Sequence, residues 1–175
     1  IFIPIVAAVL ILFVPREQRD VARVAALAAA ATCFALSLFV YISYNNSVVE
    51  IQAAQAAALE AGINVGTSQF HATLAFTEHV EWLPQLGISY SLGVDGLNAP
   101  MVLLTGMVAV AGVLVSWKVE DRTKEYMAFF LLLVAGVYGV FVATDLFVLF
   151  FFYELAIFPM YLLIATYGWV KLREY

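Results

Sequence analysis

Lysine and arginine are scarce in this sequence and confined to three short tracts. The eight are Arg16, Arg19, Arg23, Lys118, Arg122, Lys124, Lys171 and Arg173, against a net charge of −5. None falls in the middle of a long apolar run and none in residues 45–96, so no basic face for nucleic acid is expected. There is one cysteine, Cys33, which excludes a disulfide within the chain. No Cys/His spacing matches zinc or an iron–sulfur cluster, so no metal site is expected. His71 and His79 have no acidic or cysteine partners at ligand spacing and read as solvated loop residues. No cleavable signal peptide is visible or expected from Ile1–Val14, which has no basic region before it and no small-residue cleavage site. The sequence starts without Met and inside an apolar run, so it is expected to be a segment of something longer.

What is present is apolar. Of 175 residues, 65% are hydrophobic and 12% charged, against about 25% charged in soluble domains. The expectation is an all-α polytopic membrane protein with about five transmembrane helices. Residues 1–44 hold the first two: Ile1–Val14, short for a span, and Val21 to about Tyr44, ended by Asn45-Asn46. Residues 45–96 form one long extramembrane loop. In it Ser47–Glu60 reads as a short helix, with a Ser47/Glu50 capping box and Gly62 as its stop. Phe70–Thr77 and Ile88–Leu92 alternate with period two, which suggests a β-hairpin. Residues 97–175 carry the third to fifth spans. Asn98 is placed to cap the third and Pro100 fits its first turn; the fourth runs from Glu125 to about Ala143.

The fifth span, Leu146 to Trp169, holds one ionisable acid, Glu154. Eight residues from Leu146, its carboxyl lies roughly 12 Å from one end of the helix, near half depth. A carboxylate there costs on the order of 2.5–3.5 kcal/mol, so it is protonated, paired or facing an internal water path. Phe147, Phe150, Phe151, Ile157, Phe158 and Tyr161 share its face, which reads as dry. Pro159 removes a backbone N–H, frees the Leu155 carbonyl and invites a kink. Two readings stand: Glu154 handles protons, or it is a protonated acid bonded to a carbonyl for packing. Asp145, before Leu146, suits a helix cap or the lining of a proton path.

All the basic residues fall after the first, third and fifth spans. The positive-inside rule then places those turns in the cytoplasm and residues 45–96 outside, with Trp117 and Trp169 at the cytoplasmic interface. No cation lies within a span core. A partner for Glu154 must therefore come from beyond Tyr175 or from another chain.

Several motifs occur together in order: Trp82-Leu-Pro-Gln-Leu-Gly-Ile88, Leu92-Gly-Val-Asp-Gly-Leu97, Leu103-Leu-Thr-Gly106, Gly139-Val-Phe-Val-Ala-Thr-Asp145, Leu149-Phe-Phe-Phe-Tyr-Glu154 and Pro159-Met-Tyr-Leu-Leu-Ile164, ending in Tyr167-Gly-Trp169. In this the chain resembles the amino-terminal part of the antiporter-like membrane subunits of respiratory complex I (NADH:quinone oxidoreductase), in their subunit M, ND4-like branch. The resemblance covers Trp82 to Trp169; Ser47–Glu60 lies outside it, and Tyr153 stands where the family has Trp. It implies a larger fold of about fourteen helices with inverted repeats. It implies that Glu154 takes part in proton translocation with a lysine from a later helix. It places FMN, iron–sulfur clusters and quinone in other subunits, with no cofactor in this chain. Neighbouring antiporter-like subunits, membrane lipids and a bacterial inner (plasma) membrane complete what it implies. A related cation/proton antiporter or membrane-bound hydrogenase subunit shares these motifs, and a non-transporting membrane scaffold is the rival of another class.

Overall fold

A computed structural model describes residues 1–15, 18–60, 75–83, 85 and 88–168. The expectations for Arg16, Gly62, Phe70, His71, Trp169, Lys171 and Arg173 lie outside the described residues. Five helices and one hairpin follow in order: α1 Phe2–Phe13, α2 Arg19–Glu60, β1 Ala75–Leu83, β2 Ile88–Val94, α3 Asn98–Val115, α4 Thr123–Val142 and α5 Leu146–Tyr167. Four of the helices are long and apolar enough to cross a membrane; α1, with 12 residues, is shorter. The expected five membrane-length helices are therefore four among the described residues.

α4 is the centre, packing against α1, α2, α3 and α5. The shared core explains why. α2 contributes small buried residues, Ala22, Ala26, Ala30, Cys33 and Ser37, at three- and four-residue spacing. That stripe lets backbones approach where water gives no hydrophobic drive between helices. α4 answers with Met127, Leu131, Val134 and Tyr138, all buried. The buried hydroxyls of Ser37 and Tyr138 are satisfied locally. Ser37 Oγ donates to the Cys33 carbonyl at 2.8 Å and shares a 2.8 Å hydrogen bond with Tyr138 Oη. Gly106 makes room for that pair, since a Cβ there would sit 2.9 Å from Tyr138 Oη and from Phe34 Cα.

The second helix differs from expectation. α2 continues through Asn45-Asn46 to Glu60, 42 residues without a break. Ser47 does not cap a new helix; its Oγ bonds back to the Ser43 carbonyl at 3.0 Å, one turn earlier in the same helix. The mid-helix penalty for Asn is only about 0.7 kcal/mol per residue, and the alanine-rich stretch that follows sustains the helix. The start of α3 also differs from expectation. Asp95 Oδ1 accepts from the N–H groups of Leu97 and Asn98 at 2.9 and 2.7 Å. Asn98 points backward instead, its Oδ1 accepting from Asp95 N at 2.8 Å. The turn thus closes reciprocally, with Asp95 as the residue that satisfies the helix start.

The two ends of the bundle are distinct. At one end lie the α1–α2 turn, the α3–α4 turn and the end of α5. Arg23 reaches the Val119 carbonyl at 3.2 Å, Lys124 Nζ donates to the carbonyls of Leu12 and Val14 at 3.2 Å each, and Tyr167 Oη donates to the Arg122 carbonyl at 3.0 Å. At the other end the hairpin lies against the α4–α5 junction. β1 and β2 pair antiparallel, with His79 opposite Ser91 and Val80 opposite Tyr90. The register slips between Ala75 and Glu78, where Phe76 takes a φ of 53°.

Candidate functional site: the carboxyl of the fifth helix

The hairpin and α4 together position α5. β2 extends onto the α4–α5 junction: Leu92 bridges Ala143, Thr144 N donates to the Ser91 carbonyl at 3.1 Å, and Thr144 Oγ1 donates to Ser91 Oγ at 2.7 Å. Trp82 of β1 meets Phe147 of α5 edge to face at 5.7 Å. Asp145 is the N-cap of α5, its Oδ1 accepting from Phe147 N at 2.8 Å and Val148 N at 3.4 Å, with Ser89 Oγ 3.4 Å from Oδ2. Desolvation pushes the Asp145 carboxyl up. The backbone donors of Phe147 and Val148, with Ser89, outweigh it and hold the group below its usual range, because they favour the charged form. On the same hairpin, burial pushes the Tyr90 hydroxyl up, and Glu78 adds to the effect.

α5 is apolar all round, so its sequence alone does not say which side faces in. α4 decides. Val148, Phe152 and Pro159 are the buried residues of α5. Gly139 leaves the space taken by the Phe152 ring, and Gly136 sits against the Ala156 backbone, where a Cβ would come within 2.7 Å of its nitrogen. The two glycines thus draw one face of α5 onto α4. Glu154 lies on another face, exposed, among exposed Phe147, Phe150, Phe151, Phe158 and Tyr161. The expectation of a buried carboxyl is not met within the described residues, because the packing face of α5 is the Val148–Phe152–Pro159 stripe. Pro159 is on the α4 side, about 140° around the helix from Glu154. Glu154 has no hydrogen bond or ion pair among the described residues. Tyr153 is exposed beside it.

The site is thus one carboxyl near the middle of a membrane-length helix, on an apolar, aromatic-flanked face. α4 anchors the opposite side of that helix, and a capped, hairpin-braced turn holds its start. The class this defines is a polytopic helical membrane protein with an acid midway along a membrane-length helix, on a face that the described residues leave uncovered.

No family model matches the chain. Two relatives cover nearly all of it. The chain is 34% identical over 173 residues to NAD(P)H-quinone oxidoreductase chain 4 2 of Trichodesmium erythraeum, which takes in 99% of the chain and 27% of the relative. It is 31% identical over 174 residues to the protein of that name from Microcystis aeruginosa, again 99% of the chain and 27% of the relative. In structure it is similar to a chain of respiratory complex I from Thermus thermophilus with bound NADH, with a TM-score of 0.65 and 24% identity, over 94% of this chain and 28% of that one. The chain spans about a quarter of the length of the curated relatives it matches. It belongs to the ND4-like, antiporter-like membrane subunits of complex I.

Proposed function

We propose that the chain acts as part of a proton-translocating membrane-arm subunit of an NADH:quinone oxidoreductase, in which Glu154 accepts and releases a proton. The observation that carries this reading is the placement of Glu154. It is the one Asp, Glu, Lys, Arg or His of α5, roughly 12 Å from the helix start, and an intramembrane ionisable residue is functional by default.

Its outward orientation fits the reading in one way. The chain spans 27% of the length of its relatives, and the face that carries Glu154 is the one a further helix would cover. A lysine on that helix would supply the missing counter-charge. At an effective dielectric of about 20, a lysine about 4 Å from a carboxylate interacts by about 4 kcal/mol. Its approach favours the carboxylate and its retreat favours the proton. Redox energy released in other subunits, which carry FMN, iron–sulfur clusters and quinone, would drive that approach and retreat. The membrane is then a bacterial inner membrane, with the basic turns cytoplasmic and the hairpin outside.

In the scaffold alternative, Glu154 is a packing acid bonded to a carbonyl; it has no such partner among the described residues. The test is Glu154→Gln in the full-length subunit within its complex. The complex is expected to assemble, while proton pumping into vesicles and the quinone reduction coupled to it fall together. Pumping at the wild-type rate in Glu154→Gln, or equally in Glu154→Leu, would reject the role and leave a lipid-facing carboxyl.

A further inference from the structure

The basic end of the bundle holds a cleft that this function does not use. Pro15, Gln18 and Arg19 of the α1–α2 turn form one side, and Arg122, Lys124 and Glu125 at the start of α4 the other, around a cavity of about 110 Å³. Among the described residues that line it, three are cationic and one is a carboxylate. Lys124 Nζ is already engaged with the carbonyls of Leu12 and Val14, which ties α1 to the rim. The guanidinium groups of Arg19 and Arg122 have no acceptor among the described residues. Arg122 itself adopts φ 48° and ψ 43° as the N-cap of α4 and gives that turn no side-chain hydrogen bond.

The surroundings set the level of this cleft. Trp117, Tyr126 and Tyr167 gather at the same end. Tyr126 packs edge to face on Tyr167 at 5.0 Å, and its Oη lies 2.7 Å from Ser116 Oγ. Aromatic residues with a polar tip mark the headgroup level of a bilayer. Two residues before Pro15, Phe13 is 81% exposed, and Leu10, one turn further in, is 62% exposed. The cleft therefore adjoins, two residues along the chain from Pro15, apolar residues of α1 that the described residues leave uncovered.

We infer that this cleft binds the phosphate of an anionic phospholipid, with Arg19 and Arg122 as its ligands and the acyl chains lying along the exposed face of α1. The phosphate chemistry is shared by free inorganic phosphate. The lipid is the source because exposed Phe13 lies two residues from Pro15 of the cleft, and free phosphate has no use for an apolar neighbour. A basic pocket between membrane helices at the headgroup level is a recurrent lipid site. The phosphate meets the arginine side of the cleft, away from Glu125.

The experiment uses the full-length subunit in its detergent-extracted complex, stripped of lipid, and measures equilibrium binding of labelled dioleoylphosphatidylglycerol. The double substitution Arg19→Gln with Arg122→Gln is expected to weaken binding about 30-fold, from two screened cation–phosphate contacts. Lys118→Gln, at the same end but outside the cleft, is expected to bind as wild type. Arg19→Lys with Arg122→Lys is expected to restore most of the affinity. Undiminished binding in the double glutamine variant overturns the proposal. So does displacement by dioleoylphosphatidylcholine mole for mole on the wild-type complex, a measurement that stands even if the variant fails to assemble. Inorganic phosphate at equal concentration displacing the lipid as well as unlabelled phosphatidylglycerol does overturns the lipid assignment. None of these readings depends on proton pumping by Glu154.

Discussion

Gly136→Ala is the sharpest probe of how α5 is held. A Cβ at this position would lie 2.7 Å from Ala156 N and 2.8 Å from its Cα and Cβ. Carbon contacts relax at about 3.5 Å, so α5 must back away from α4 by roughly 0.7 Å. The obstructing atoms are backbone and a methyl group, with no rotamer to turn, so the helix itself must move. Overpacking of this kind costs about 1–3 kcal/mol. Glu154 lies two residues from Ala156 and moves with it. A shift near 1 Å in a reacting group can lower a rate by up to about 100-fold. The expected outcome in the full-length complex is a lower thermal midpoint together with pumping reduced at least severalfold. Gly112→Ala is the control: the added methyl meets the far edge of the Phe130 ring, which can swing, so its cost is expected to be less than half as large. A Gly136→Ala complex with wild-type midpoint and wild-type pumping would refute the argument, as would a larger effect from Gly112→Ala.

Three other outcomes follow from the same geometry. Ser37→Ala leaves the buried Tyr138 hydroxyl without its partner and is expected to cost about 1–3 kcal/mol. Tyr138→Phe leaves Ser37 bonded to Cys33 and costs about 0.6 kcal/mol; denaturation midpoints in the reverse order would contradict this. Asp145 is held below its usual range, so its support of the α5 start is complete above that range and is lost only as pH falls through the depressed value. Amide exchange at Phe147 and Val148 should therefore stay slow from pH 7 to about 4. In Asp145→Asn it should lose its acid-side dependence, and a loss of protection already at pH 6 in wild type would be inconsistent. Glu154→Gln is expected to separate assembly from pumping, measured as described above.

The sequence is most informative where the physics is local. Hydropathy locates α3, α4 and α5 to within a few residues, because roughly 20 apolar residues are what a bilayer requires. The depth of Glu154 follows from counting along α5. Its direction does not. An all-round apolar helix carries no facing signal, and the deciding residues, Gly136 and Gly139, sit on another helix. The reach of α2 was hidden for a different reason. Asn45-Asn46 and the Ser47/Glu50 spacing are stop and start signals in isolation, yet Ser47 can spend its hydroxyl on the Ser43 carbonyl within an unbroken helix. The exchange of roles between Asp95 and Asn98 is a two-residue ambiguity that only the hydrogen-bond directions resolve. The basic cleft was legible as a charge tract but not as a cavity, since its two sides are about a hundred residues apart.

The uninterrupted 42-residue α2 also has a mechanical consequence. At 1.5 Å per residue it is about 63 Å long, and a bilayer with its headgroups accounts for about 40–45 Å. Standing upright, its far tip clears the membrane by roughly 20 Å, opposite the end where Arg23 is tied to the Val119 carbonyl. Pivoting there, a tilt of about 5° sweeps Glu60 sideways by about 5 Å. A change of angle too small to disturb the packed alanines at its base would be amplified at the tip into a displacement larger than a water molecule.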